Sequence, residues 1–306
     1  MNEKIAAVII VFNEEIHIER CLLSLKGLVD EVHIIDSYSS DKTIKIASKY
    51  GARIYQVDWE NSYSKKYNWA LENICTKCDW IFRIDADEIC SPELCLEIRE
   101  ELKKDRIKSL NSLKVKRVIK FLGKELLFGG MQPVYTLRLF KKNYGFCESK
   151  LMDEHIVVKN EASINLKHKL IDDNKKGWED WISKHNTYAL KEAIDAIQRK
   201  DKKSKDELDI NSNDLDQVRK KRKHKGRYEK LPLFIRPIIY FLYRYILKGG
   251  FRDGFSGFSW HFLQGLWYRM LVDIKIYQIL KDLEEDNISL QDYIYDRYGF
   301  SIKFDK

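Results

Sequence analysis

The 306-residue chain has no run of about twenty consecutive apolar residues, the length a membrane-crossing helix needs. Its first apolar run, Ala6 to Phe12, is seven residues long and lacks the basic start and small-residue cleavage site of a secretory signal, so the expected location is the cytoplasm. No internal repeat recurs, which removes a solenoid. After the first apolar run there is no glycine-rich phosphate loop with a following Lys or Arg. Asn13-Glu14-Glu15 stands there instead, a poor fit to a nucleotidyltransferase. No RNA- or DNA-reading motif accompanies the basic stretches, so nucleic acid is not an expected partner. Six cysteines are scattered through the chain. Cys75-x-x-Cys78, Cys90 and Cys95 have the wrong spacing for a zinc site and straddle a carboxylate motif, so they read as free thiols of a reducing compartment.

Apolar residues make up 44% of the chain and charged residues 33%, a globular balance with enough length for one large domain or two small ones. The net charge of +8 is uneven. Residues 217–280 hold fourteen Lys and Arg against three Asp and Glu, a local +11, which leaves −3 for the remainder. A partner for positive charge is therefore to be sought in that segment.

Periodicity orders the first hundred residues. Ala6–Phe12 reads as a strand buried on both faces, and Ile16, Ile18, Leu22, Leu25 and Leu28 as one side of a helix. Val32–Ile35 is a second strand, Thr43–Tyr50 a helix that Gly51 stops, and Arg53–Val57 a third strand. A helix over Lys65–Asn73 and a strand over Trp80–Ile84 follow, and then Ser91-Pro92-Glu93 as a helix start. This βαβαβαβα series predicts a parallel sheet with helices on both faces. After Lys104, strands are expected at Leu113–Ile119, Phe121–Phe128, Tyr135–Phe140 and Ile156–Val158, giving a mixed sheet. Trp178–Ile197 reads as a helix, and residues 199–227 as a charged excursion.

Ligands of open α/β sheets bind beyond the carboxyl ends of the strands. Asn13-Glu14-Glu15, then Asp36 to Asp41, then Asp58, then Asp85-Ala86-Asp87-Glu88 all fall at such ends. Two carboxylates one residue apart after a buried strand can hold a hard divalent cation and a diphosphate that it bridges. An acidic cluster capping the helix after Ser91 is the plain alternative.

Val11-Phe12-Asn13-Glu14, Ile35-Asp36-Ser37-x-Ser39-x-Asp41-x-Thr43 and Asp85-Ala86-Asp87, in this order, resemble the family 2 glycosyltransferases. The resemblance covers about the first 105 residues and implies an α/β, GT-A nucleotide-sugar domain and inverting transfer. It places Phe12, Asn13, Glu14, Asp36, Ser39, Asp41, Lys65, Lys66, Asp85 and Ala86 along a nucleotide-sugar donor, a UDP-sugar. Asp87, with Asp85, would hold a manganese or magnesium ion, and His155 either completes that shell, binds phosphate or is structural. Glu14 and Glu15 read alternatively as helix N-terminal acids, and Lys65 and Lys66 as surface lysines. Inverting transfer needs a carboxylate to take the acceptor proton, and Glu154 ahead of Asp153 resembles that base. Gly129 to Pro133, with Gln132, and Arg138 after it resemble the acceptor side, or a plain turn. The segments around Met152 and Trp181 resemble bacterial enzymes of lipopolysaccharide core, capsule and exopolysaccharide synthesis.

Between Leu231 and Leu280 thirteen aromatics mix with Arg and Lys. This suits a helix lying in a bilayer interface, with Arg219 to Lys225 drawn to anionic headgroups. A cap on the catalytic domain or a dimer face is the alternative. The expected organisation is a nucleotide-sugar half over 1–105, an acceptor half over 106–198, a charged linker over 199–230 and a helical membrane-associating region over 231–306. The expected function is sugar transfer to a lipid-linked saccharide by a peripheral protein at the inner face of the cell membrane. A sugar nucleotidyltransferase or an inactive membrane-bound scaffold are the alternatives.

Overall fold

The computed structural model describes residues 3–59, 62–148, 155–160, 162–203 and 228–299. Asp153, Glu154 and most of the expected linker lie outside them. The described chain falls into two compact units, 1–180 with 244–260, and 181–243 with 261–306. The segment 244–260, expected with the C-terminal tail, thus packs in the first unit.

The first unit is built on strand β1 (Ile5–Val11), whose pattern is almost wholly buried. It lies between β2 (Glu31–Asp36) and β4 (Trp80–Arg83), parallel to both, and β3 (Arg53–Gln56) runs parallel to β2. Alternate residues of β1 feed two cores, because successive strand side chains point to opposite faces. Ile5, Ala7, Ile9 and Val11 pack with Ile18, Cys21 and Leu22 of α1 (Ile18–Ser24) and with Leu94 and Ile98 of α4 (Pro92–Glu101). Ala6 and Val8 pack with Tyr67 and Ala70 of α3 (Tyr63–Asn73) on the other face. Helix α2 (Thr43–Lys49) ends before Gly51, whose φ of +74° is the left-handed conformation a helix stop favours. Ser91 caps α4 through Leu94 N at 3.2 Å, with Pro92 in the first turn, as its sequence predicts.

Beyond β4 the sheet turns mixed, in the order β3-β2-β1-β4-β8-β6-β11-β5. Strand β8 (Tyr135–Lys141) is antiparallel to β4 and to β6 (Ser112–Phe121), and β11 (Ser163–Asp172) is parallel to β6. Two short strands, β9 (Gly145–Cys147) and β10 (Ile156–Val158), pair separately.

Three details depart from the sequence expectations. The strand expected over Phe121–Phe128 is broken by a turn at Leu122-Gly123, with φ of 48° and 78°, which leaves only the two-residue β7 (Lys124–Glu125). Left-handed residues at both central positions make a tight hairpin turn, and Leu is not the residue by which such a turn is recognised. Strand β11 was not expected, because a register shift between Asn165 and Lys169 interrupts its alternation. A three-residue strand, β5 (Glu88–Cys90), pairs with β11 and separates the acidic turn from α4, so that turn does not cap the helix.

The second unit contains the body of α5 (Trp178–Lys203), α6 (Ile235–Leu242), α7 (Tyr268–Asp286) and α8 (Leu290–Tyr298), with a π-helical turn over His261–Trp267. Its charged core is the pair Arg236–Asp273, both buried, with Arg236 Nε donating to Asp273 at 2.8 Å. The same carboxylate accepts from Phe234 N at 2.8 Å. Asp273→Ala should therefore destabilise by about 3–5 kcal/mol, since it leaves a buried guanidinium uncompensated. Urea unfolding followed by circular dichroism checks this, and a loss under about 1 kcal/mol would mean that water compensates Arg236.

Candidate active site

Because β1, β2, β3 and β4 are parallel, their carboxyl ends meet along one edge of the sheet. Two loops are knitted together at the ends of β1 and β2. Asn13 takes a left-handed conformation at φ 52°, which turns its backbone N–H to Ser39 Oγ at 2.9 Å and its side chain to Ser40 N at 2.9 Å. Glu14 N donates to Thr43 Oγ1 at 2.7 Å and Glu15 N to Asp41 Oδ2 at 3.0 Å. Asp36, fully buried, accepts from Ser39 N at 3.0 Å and from Ser39 Oγ at 2.5 Å. Phe12 stays exposed beside this knot.

Lys66 reaches the same place from α3, donating to Ser37 Oγ and to Val57 O at 3.2 Å, whereas its neighbour Lys65 is exposed. Burial lowers the Lys66 ammonium to about 8, against the pull of Asp36 and Asp58. Of the two lysines, Lys66 belongs to the ends of β2 and β3.

At the end of β4, one guanidinium serves two carboxyl groups. Arg138, buried on β8, donates to Asp85 Oδ2 at 3.1 Å and to Glu88 Oε1. Glu88 Oε2 accepts from Asp85 N at 3.0 Å, which closes the turn on itself. Arg117 of β6 lies 3.5 Å from Glu88 Oε1 and pairs with Asp172. Tyr63 donates to Asp85 Oδ1 at 3.2 Å and to its own side accepts Arg83 Nε at 3.2 Å. Burial pushes Glu88 up to about 7, with Asp85 adding to the rise and Arg138 and Arg117 opposing it. Burial also works against the Asp85 carboxylate, but Arg138, Arg83 and Arg117 hold it well below the usual carboxylate range. Arg138 thus stands against the acidic turn, among residues the sequence reading assigned to donor and metal.

Asp87 sits on the outer side of the turn. Its Oδ2 accepts from Asn174 Nδ2 at 2.9 Å and its carbonyl from Asp173 N at 3.0 Å. The chain after β11 is anchored to α1 as well. Arg20 Nη1 donates to Asp173 Oδ2 at 3.0 Å, and His17 Nε2 accepts from Lys175 N at 2.8 Å. That acceptor role leaves the proton on His17 Nδ1, which faces Glu14 at 2.6 Å. Burial disfavours the Glu14 carboxylate, yet hydrogen bonds from His17 and from Lys176 at 2.7 Å bring it below its ordinary value. Ala86, between the two aspartates, is buried in the core.

Gln132 donates to Arg117 O at 2.9 Å, and His155 Nδ1 lies 3.3 Å from Glu148 Oε1. Among the described residues no three His, Cys, Asp or Glu gather as a metal cage, so His155 does not join Asp85 and Asp87 in one. With Asp85 held by Arg138, Asp87 is the one of the two aspartates that could hold a cation. A magnesium-like ion held by one carboxylate, water and substrate phosphates is a common arrangement and fits this donor set. All six cysteines are free thiols.

Sequence reasoning named Glu88 among the strand-end acids without giving it a role, and it missed Arg117, Asp172, Asn174, Arg20 and His17. Glu88 was adjacent to the motif, so its position was a signal. The others come from β6, from the end of β11 and the residues after it, and from the start of α1, which only the fold brings together.

Residues 6–120 match the model of Glycosyl transferase family 2. An uncharacterized glycosyltransferase of Rickettsia bellii is 45% identical over 98 residues, 32% of this chain and 32% of its own length. Another, from Rickettsia typhi, is 32% identical over 144 residues, covering 46% of this chain and 48% of its own. The matches thus span about a third to a half of these relatives. A crystal structure of glucosyl-3-phosphoglycerate synthase from Mycobacterium tuberculosis with Mn2+ and UDP is similar over 38% of this chain and 44% of its own, at 25% identity and a TM-score of 0.31. The α/β architecture with a mixed central sheet and a helical C-terminal region agrees with the GT-A expectation.

Removing Arg138 leaves buried Glu88 and half-buried Asp85 without the guanidinium they share. Arg138→Met should cost about 3–5 kcal/mol, and adding Glu88→Gln should restore part of it, because the second carboxyl then no longer needs a cation. Urea unfolding of the two single variants and the double variant tests the coupling. Strictly additive losses would show that Arg138 does not serve both groups.

Proposed function

We propose that this chain, whose residues 6–120 match the model of Glycosyl transferase family 2, moves a sugar from a UDP-linked donor to a lipid-linked saccharide with inversion at the anomeric carbon. The observation that carries the reading is the array along one sheet edge. Buried Asp36 and the Asn13–Ser39 knot stand at one end, and the Asp85–Asp87 turn with its shared guanidinium at the other.

In this reading Asp36, oriented by Ser39, accepts a hydrogen bond from the nucleoside, and the Lys66 charge offsets the buried carboxylate. Asp87 holds the divalent ion, which as a Lewis acid would neutralise the departing diphosphate. Arg138 and Arg117 keep the turn electrically balanced, so its carboxylates do not repel the donor phosphates. The acceptor hydroxyl attacks C1 of the sugar, and the bond from C1 to the diphosphate oxygen breaks. Glu154 or Asp153, both outside the described residues, takes the hydroxyl proton. Electrostatic stabilisation of the leaving group and general-base removal of that proton are the two contributions the protein makes.

A lipid-linked acceptor at the inner face of the cell membrane is supported by the second unit. On α6, Ile235, Ile238, Ile239 and Leu242 are all exposed, at the spacing of one helical face. The basic segment 217–280 supplies charge complementary to anionic lipid. Among the described residues no helix is long and apolar enough to cross a membrane.

Asp87→Ala should lower transfer by roughly 10²–10³-fold and abolish metal-dependent thermal stabilisation by UDP, while circular dichroism stays unchanged. An unaffected rate would remove the metal assignment. Lys66 carries its charge below about 8 and loses it above. Calorimetric UDP affinity should accordingly fall as pH rises through that value, and Lys66→Met should bind more weakly and lose the step. Superimposable pH profiles for the two proteins would show that Lys66 plays no part in donor binding.

A further inference from the structure

The first unit bears an apolar surface that its sheet does not need. Leu247 and Phe255 are 77% and 76% exposed, and Phe251 is 54% exposed between them. Leu247 ends the turn Tyr243–Leu247, Phe251 lies in the turn Gly250–Asp253 and Phe255 opens the helix Gly254–Trp260, three short elements in direct succession. Leu122, in the turn before β7, and Leu127, just after it, are exposed by 51% and 47%. The two pieces are joined by the Asp253 carboxylate, which accepts from Leu127 N at 3.0 Å and Phe128 N at 2.9 Å. Lys124 Nζ adds a bond to Asp253 O at 2.9 Å.

The surface is firmly built. At Gly257 a Cβ would meet Gly250 O at 2.4 Å, so only glycine permits the close turn beneath the phenylalanines. Tyr245 packs edge-on against Phe251 and Phe258, with ring centroids 6.3 and 5.7 Å apart. A rigid, exposed cluster of this kind marks an interaction site rather than loose surface.

Charge decides what covers it. Lys124, Lys248 and Arg252 are exposed at its margin; of the acids beside them, Asp253 is buried with its carboxylate already bonded and Glu125 pairs with Lys169. A second copy related by a two-fold axis would set these cations against themselves. Large apolar side chains rimmed by Lys and Arg match instead the acyl boundary and headgroups of an anionic bilayer.

We propose that Leu247, Phe251 and Phe255, with Leu122 and Leu127, form a docking face for anionic lipid on the first unit itself. This deepens the proposed function by giving the sugar-transfer unit its own hold on the surface where a lipid-linked acceptor lies. The face does not include the apolar stripe of α6.

The full chain is to be sedimented with vesicles of phosphatidylcholine, with and without phosphatidylglycerol. The wild type should pellet only with phosphatidylglycerol present. Leu247→Ser with Phe255→Ser should weaken that partition by roughly tenfold or more, since two apolar side chains lose their burial. Lys248→Gln should weaken it by about fivefold, and added salt should do likewise. Both changes are at exposed positions, and unchanged circular dichroism and UDP binding confirm intact protein. Wild-type pelleting that the double variant retains in full overturns the proposal, as does a wild type that stays in solution. A wild-type dimer in light scattering that the double variant converts to monomer, with no lipid binding, makes the face a subunit interface and also overturns it. Vesicle binding without any UDP binding would leave the face standing and remove the transferase reading.

Discussion

The acidic turn after β4 exists in its observed form because Arg138 neutralises two carboxyl groups at once. Glu88 is fully buried and Asp85 half-buried beside it, and a buried carboxylate without a cation is too costly to keep. The cation comes from β8, the strand at which the sheet changes from parallel to antiparallel, so the mixed topology and the site are one arrangement. Asp87, two residues from Asp85, is then held from the other side by Asn174, just after β11.

A division of labour follows along the sheet edge. Hydrogen bonds between backbone and side chains hold the ends of β1 and β2, where Asn13, Ser39 and Thr43 make a compact knot beside Asp36 and Asp41. Ion pairs hold the end of β4, where Arg138, Arg117 and Arg20 stand among Asp85, Glu88, Asp172 and Asp173. Such an edge presents a shaped, hydrogen-bonding end beside a charge-balanced one, which suits the nucleoside and the diphosphate of the proposed donor.

Much of the first unit was legible in its residues. β1 reads as a buried strand because Ile5–Val11 contains no polar side chain, and the four βα repeats follow from simple alternation and cap chemistry. Legibility failed where local signals were weak. Leu122-Gly123 turns through a conformation that Leu seldom adopts, and the bulge in β11 breaks the period-two pattern that identifies strands. The segment 244–260 looks like the rest of the aromatic tail, yet Asp253 ties it to the hairpin beside β7.

The sequence by itself determined which carboxylates end up at strand termini, since hydrophobic runs set where strands begin and stop and the acids simply follow them. It determined the excess of basic and aromatic residues near the C-terminal end. Tertiary structure alone decided which cation meets which acid. Arg138 lies 53 residues from Asp85, and Asn174 lies 87 residues from Asp87. Pairings at that separation depend on strand order and register, which no local pattern encodes.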